Sequence, residues 1–239
     1  MGRAGLAVGG VALIGVGVAV AFGWLWPSTA EATAELDQPV STVRVAGDSG
    51  DVTIRAADVD AATVRQVFRY RWDRPGDAYS VEGTTLVLGA CEDWSCSVDY
   101  EVLVPSGTTV TGNVDSGELT IEGVASADVE ADSGDIDVRD VAGPVTVRLD
   151  SGSFTGEGLS GTVEADLSSG DVDVTLSEPG DVRVSVDSGD VRVAVPEGDY
   201  RVDGDSDSGD RDIEITQDPS AGNVLDLGTD SGDVTVTRA

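Results

Sequence analysis

Residues 182–193 read Val182-Arg183-Val184-Ser185-Val186-Asp187-Ser188-Gly189-Asp190-Val191-Arg192-Val193. Apolar residues take every second position on both sides of the word Asp-Ser-Gly-Asp. A period of two sends alternate side chains to opposite faces of a strand, so each flank reads as a strand with one apolar face. The word between them reads as a turn. Asp offers an oxygen to the backbone two residues on, and Gly accepts the positive φ that other residues avoid.

The same word returns along the chain as Asp48-Ser-Gly-Asp51, Asp115-Ser-Gly-Glu118, Asp132-Ser-Gly-Asp135, Asp150-Ser-Gly-Ser153, Ser168-Ser-Gly-Asp171, Asp207-Ser-Gly-Asp210 and Asp230-Ser-Gly-Asp233. From Gly117 to Gly232 the spacings are 17, 18, 18, 19, 20 and 23 residues. Alternating pairs follow most copies (Leu119/Ile121, Ile136/Val138, Val172/Val174, Val234/Val236) and precede several (Val145/Val147/Leu149, Val163/Ala165/Leu167, Leu225/Leu227). A fixed period marks a repeat architecture. Two short strands and two turns fill about 18 residues. The expected fold is all-β, a β-solenoid-like stack of two-strand rungs with like strands about 4.8 Å apart. An antiparallel β-meander or sandwich, in which each word closes a hairpin, is the alternative.

Composition narrows the function. The 239 residues carry 45 acids against 14 bases, every base is Arg, there is no His, and the net charge is −31. Such a field repels phosphate, which excludes nucleic-acid binding and opposes adhesion to an anionic lipid surface. Cations are its natural partners. Aromatic residues make up only 5%, so the core must be built from small branched side chains, which suit a pleated sheet.

The N-terminus has a different character. Leu6 to Trp26 holds no charged residue. These 21 residues span roughly 31 Å as a helix, close to the hydrocarbon thickness of a bilayer. Arg3 precedes the run and the next base is Arg44, which places the N-terminus in the cytoplasm and the acidic bulk outside. Residues 1–26 therefore read as a membrane anchor. The alternative is a cleaved signal segment with secretion, for which Ser28-Thr29-Ala30 and Ala32-Thr33-Ala34 offer small-residue cleavage sites.

Residues 27–39 read as a small, acidic linker without periodicity. Residues 40–105 read as an N-terminal β region, and 106–239 as the repeat region. In the former, Thr63 to Trp72 gives a long strand with Val64, Phe68, Tyr70 and Trp72 on one face, read as core. Arg65, Arg69 and Arg71 lie on the other, read as pairing with carboxylates. Cys91 and Cys96 enclose a short loop; outside the cytoplasm so close a pair reads as a disulfide.

Together the apolar segment, the Cys91–Cys96 loop running into Ser97-Val98-Asp99-Tyr100-Glu101-Val102-Leu103-Val104-Pro105, and the Ser-Gly-Asp-apolar-x-apolar words resemble a bacterial β-strand-repeat family of adhesin type, the toast-rack proteins. The resemblance covers about Val40 to Arg238. It implies an exported stacked-strand repeat domain and names no ligand.

Without His, Lys or a lone Cys, the usual nucleophile and base pairs cannot be assembled, and no enzymatic activity is expected. If rungs stack, Asp115, Asp132, Asp150, Asp187, Asp207 and Asp230 form one carboxylate ladder, and Glu118, Asp135, Asp171, Asp190, Asp210 and Asp233 form a second. Such ladders attract cations, with Ca²⁺ the candidate for oxygen ligands; no other cofactor is expected. The expectation is a membrane-tethered module for adhesion, self-assembly or envelope sensing, whose partner is an envelope protein, a polysaccharide or another copy of the chain. A calcium-dependent carbohydrate-binding surface protein is the second reading, and a polysaccharide-acting β-helix enzyme the third.

Overall fold

A computed structural model describes residues 28–91 and 95–239, with only the backbone at Asp48. The anchor expected over 1–26 lies outside the described residues. Among the described residues there is no helix long and apolar enough to cross a membrane.

The secondary structure is all β, in two sheets of 11 strands. In spatial order the first carries Ser28–Glu35, Thr63–Tyr70, Cys96–Pro105, Val52–Ala57, Leu119–Glu122, Ile136–Arg139, Phe154–Leu159, Val172–Leu176, Val191–Val195, Val234–Arg238 and Arg211–Ile213. The second carries Tyr200–Asp203, Asn223–Ser231, Val182–Ser188, Val163–Ser169, Val145–Ser151, Ser126–Ser133, Thr109–Ser116, Thr42–Ser49, Thr85–Gly89 and Tyr79–Glu82, with Ser206–Ser208 also beside Asn223–Ser231. Within the repeat each strand lies parallel to its equivalent in the next copy and in register. Val145 faces Val163, which faces Val182; Ile136 faces Leu119 on one side and Phe154 on the other. Both sheets run unbroken from the 40–105 region into the repeats.

The core follows from the alternation. Val145, Val147 and Leu149 point inward from one sheet, and Val172, Val174 and Leu176 from the other, all at most 3% exposed. Register is pinned because a one-residue slip would turn every apolar side chain to solvent.

Antiparallel pairing is confined to the N-terminal end. Ser28–Glu35 pairs with Thr63–Tyr70, which pairs with Cys96–Pro105, and Tyr79–Glu82 pairs with Thr85–Gly89. Two expectations change here. The stretch read as a linker is in part a sheet strand, Ser28–Glu35, whose Ala30, Ala32 and Ala34 are half-buried. Alanine alternating with small polar residues is too weakly apolar to announce a strand, and only the neighbouring strand Thr63–Tyr70 gives it a surface to cover. Trp72 is 73% exposed, beyond the strand end at Tyr70, while Val64, Gln66 and Phe68 fill the inner face. Gln66 is buried because Ala78 N–H donates to its Oε1 at 2.7 Å and its Nε2 donates to Asp77 Oδ1 at 3.3 Å.

The C-terminal rungs do not stack in chain order. Asn223–Ser231 and Val234–Arg238 lie directly against Val182–Ser188 and Val191–Val195, and the earlier copy around Asp207 lies outside them. Composition explains the exchange. Leu225, Leu227, Val234 and Val236 are fully buried. Val202, Gly204, Asp205, Ser206, Arg211 and Ile213 offer a poorer apolar set, which suits a rung with only one neighbour. Arg211 closes this rung by donating to Leu227 O at 3.0 Å and Asp203 O at 2.8 Å.

Candidate functional site

The repeated corner is where the sequence places its candidate residues. Its Ser residues fall in register on consecutive strands: Ser49, Ser116, Ser133, Ser151, Ser169, Ser188, Ser231 and Ser208. The following glycines form a column with φ between +122° and +156°. A Cβ on Gly170 would lie 1.7 Å from Gly152 O, and one on Gly134 2.0 Å from Gly117 O. The corner therefore requires Gly twice, for its dihedral and for the rung beside it.

The two acidic ladders behave differently. In the second, a carboxylate accepts the backbone N–H of the equivalent residue one rung away. Asp190 N–H donates to Asp171 Oδ1 at 2.8 Å, Asp233 N–H to Asp190 Oδ1 at 3.0 Å, and Asp210 N–H to Asp233 Oδ1 at 2.8 Å. Ser153 N–H donates to Asp135 Oδ1 at 2.9 Å, Glu118 N–H to Asp51 Oδ1 at 3.1 Å, and Asp51 N–H to Asp99 Oδ1 at 3.2 Å. The chain of bonds is interrupted where the residue is the longer Glu118, whose Oε1 takes the Thr120 hydroxyl instead, and where it is Ser153, which has no carboxylate. The fourth residue of the word thus does the work of a strand carbonyl at a corner where the backbone has turned away. Asp99, in the strand after the disulfide loop, belongs to this ladder and was missed in the sequence, because no Ser-Gly precedes it.

In the first ladder, Asp115, Asp132, Asp150, Asp187, Asp207 and Asp230 are exposed and, among the described residues, make no side-chain hydrogen bond or ion pair. The turn bond that the sequence assigns to this Asp is therefore not made; the structural bond belongs to the residue three positions later. Strand register sets Asp115, Asp132 and Asp150 on successive rungs, about 4.8 Å apart, and Asp187, Asp230 and Asp207 likewise, with Ser168 on the rung between the two runs. Among the described residues no three acidic or Cys side chains converge as a metal site.

Elsewhere the charged faces are laced with ion pairs, as expected for Arg65 and Arg69; Arg71, expected to pair as well, lies past the strand end at Tyr70 and makes no ion pair among the described residues. Arg65 meets Glu101 at 2.5 Å and Glu31 at 3.0 Å, and Arg69 meets Asp99 at 2.6 Å. These pairs are largely exposed, so each contributes only about 0–1 kcal/mol. Cys91 and Cys96 form the expected disulfide, with Cα atoms 5.8 Å apart. Nearby, Tyr100 Oη lies 2.8 Å from both Ala78 O and Gly89 O, joining the two sheets, and burial pushes its ionisation up.

One group stands out chemically. Asp137 is half-buried on the outer face, between Thr120 and Thr155 on the flanking strands. Its Oδ2 pairs with Arg139 and its buried Oδ1 has no partner. Burial raises its pKa, opposed by Arg139 and reinforced by Glu157 and Glu118. Nothing in the repeat word singled it out, since Asp137 sits at an ordinary outward strand position. An acid with a raised pKa is one half of a hydrolytic pair, but here Arg139 ties its other oxygen and holds Glu157 at 3.2 Å.

A groove of about 410 Å³ over Gly112 is lined by Thr111, Asn113, Asp128, Glu130 and Arg148, with no aromatic side chain. Tyr200 and Phe154, the aromatics within the repeats, are at most 1% exposed.

These features define a protein of stacked parallel β-strands turned at a repeated acidic corner. The family model Toastrack DUF4097 matches residues 37–237, and the chain belongs to that family. No curated protein matches it. Three solved structures are similar. A "putative adhesin" from Bacteroides fragilis has 13% identity and a TM-score of 0.48, covering 88% of this chain and 98% of that one. A "putative adhesin" from Parabacteroides distasonis has 12% identity and a TM-score of 0.39, covering 86% and 97%. A "putative cell adhesion protein" from Clostridium sporogenes has 10% identity and a TM-score of 0.36, covering 89% and 100%.

Proposed function

We propose that this chain is a non-enzymatic, membrane-tethered surface protein whose rigid stack displays one acidic edge to envelope partners, in adhesion or envelope sensing. The observation that carries the reading is the division of labour at the corner. The fourth-position carboxylates of Asp51, Asp135, Asp171, Asp190 and Asp233 are used inside the scaffold, while the first-position carboxylates of Asp115, Asp132, Asp150, Asp187, Asp207 and Asp230 are left exposed without a partner among the described residues. An edge so built is free to meet cations, and through them polysaccharide or protein.

Retention of the anchor is supported by the strand Ser28–Glu35. Cleavage after Ala30 would remove part of the strand covering Thr63–Tyr70, and cleavage after Ala34 would remove most of it along with the Arg65–Glu31 ion pair. An uncleaved chain keeps that sheet edge covered. The carbohydrate reading gains nothing from the aromatic residues of the repeat, because burial removes them as stacking platforms.

The test uses the full chain with a C-terminal epitope tag. It is expected to sediment with membranes and to lose the tag when protease is added to intact cells. Retention by isolated envelopes is expected to fall when Asp132, Asp150, Asp187 and Asp230 are all changed to Asn. A chain that is soluble and protease-protected overturns the localisation; unchanged retention overturns the role of the acidic edge.

A further inference from the structure

The N-terminal end of the stack carries a patch that departs from the rest of the surface. Trp72, at 73% exposure, has more of its surface in solvent than any other large apolar side chain among the described residues. It is flanked by Arg71 and Arg74. Ten of the described Arg residues pair with carboxylates, and Arg211 is taken up by two backbone carbonyls. Among the described residues, Arg71 makes no side-chain hydrogen bond or ion pair, and the Arg74 side chain reaches only Glu31 O, at 3.4 Å. In a chain of net charge −31, two guanidiniums without a carboxylate beside a bare indole are out of pattern; Asp73 is the single acid between them.

Their position supplies the occupant. Tyr70 pairs with Ser28, and Ser28 follows Trp26-Pro27, where the uncharged run Leu6–Trp26 ends. The patch therefore lies beside the point where the chain joins its anchor. We propose that Arg71-Trp72-Asp73-Arg74 seats this end of the stack on the phospholipid headgroup layer, a proposal that rests on the tethered reading above. An indole is amphipathic and settles at a membrane interface, and a guanidinium matches phosphate oxygens in a two-pronged contact. The overall charge opposes capture of a free chain by an anionic surface. The contact forms only because the anchor holds the patch within reach, where effective concentration replaces affinity. The stack is then fixed in direction, with its acidic edge held at a set angle to the membrane.

The experiment reconstitutes the full chain, with Trp24, Trp26 and Trp94 changed to Phe, into phosphatidylcholine–phosphatidylglycerol vesicles containing lipids brominated near the headgroup. Trp72 emission is expected at shorter wavelength than for a solvent-exposed indole, quenched by the brominated lipid and shielded from acrylamide. Changing Arg71 and Arg74 to Gln is expected to restore much of the lost emission. The otherwise natural chain gives a second reading. Trp72→Phe replaces an exposed side chain, and the emission lost on this change should itself be bromine-quenched and acrylamide-shielded. An alkaline wash separates the two claims. A chain that stays with the vesicles while Trp72 remains open to acrylamide and unquenched by bromine overturns the seat and leaves the tether standing, and points to a protein or polysaccharide ligand. A chain washed from the vesicles overturns the tether and the seat with it.

Discussion

Substituting Ala for Gly170 tests the layered corner most directly. Gly170 has φ +135°, and a Cβ there would sit 1.7 Å from Gly152 O and 2.6 Å from its carbonyl carbon. The backbone strain alone costs about 1–2 kcal/mol in a residue with a Cβ. Relief of the clash requires the two rungs to part by more than an ångström. The bonds at risk are those that join these two rungs on either side of the corner, Gly152 N–H to Ser169 O at 3.0 Å and Phe154 N–H to Asp171 O at 2.9 Å. Leaving one such group unpaired costs about 1–3 kcal/mol. The expected loss is therefore about 2–5 kcal/mol, a large part of the roughly 5–15 kcal/mol that holds a domain folded. Two controls divide the effect. Gly107 has φ +90° and nothing within 4 Å of a new Cβ, so Gly107→Ala should lose only the backbone part. Gly47 has open space and no positive φ, so Gly47→Ala should stay within about 0.5 kcal/mol of the parent. Urea unfolding of the full chain, followed by far-ultraviolet circular dichroism, ranks the three. If Gly170→Ala costs no more than Gly107→Ala, close stacking is not what demands glycine at the corner.

Three further outcomes are expected. Asp135→Ala removes the acceptor for Ser153 N–H and should cost about 1 kcal/mol, while Asp135→Asn keeps an oxygen there and should recover at least half; equal losses in urea unfolding would show that charge, not the bond, matters. Asp137 has its pKa raised by burial, so its contribution to stability is full below the ordinary carboxylate range and is lost as pH rises through the folded-state value. Asp137→Asn should therefore raise the melting temperature at pH 7, with the gain shrinking towards pH 3; a lower melting temperature at pH 7 would contradict this. For the first ladder, neighbouring carboxylates about 4.8 Å apart repel by roughly 0.9 kcal/mol in water before screening, so stability should climb with NaCl as the screening length shortens. Calcium at matched ionic strength should shift the melting point no further than NaCl does; an extra shift abolished by chelator would establish a specific ion site that the corner geometry does not suggest.

The all-β class, the strand alternation, the position of each corner and the disulfide partners were legible in the residues themselves. Local chemistry decides them: a period of two has one geometric meaning, Gly recurs where φ must be positive, and two Cys five positions apart have only each other to meet. Long-range geometry settled the rest. Which Asp of the word bonds to the backbone depends on the rung beside it, so Asp187 and Asp190 look alike in sequence and only Asp190 accepts a hydrogen bond. The exchange of the last two rungs is a contest between Leu225/Leu227 and Val202/Gly204 for one buried place. The strand at Ser28–Glu35 exists because Thr63–Tyr70 presents an open edge. Asp99 joins the ladder, and Trp72 stays outside the core, through pairings between strands distant in the chain. Periodicity determines how a segment folds; which segment it lies against is determined by how much apolar surface each possible neighbour leaves to be covered.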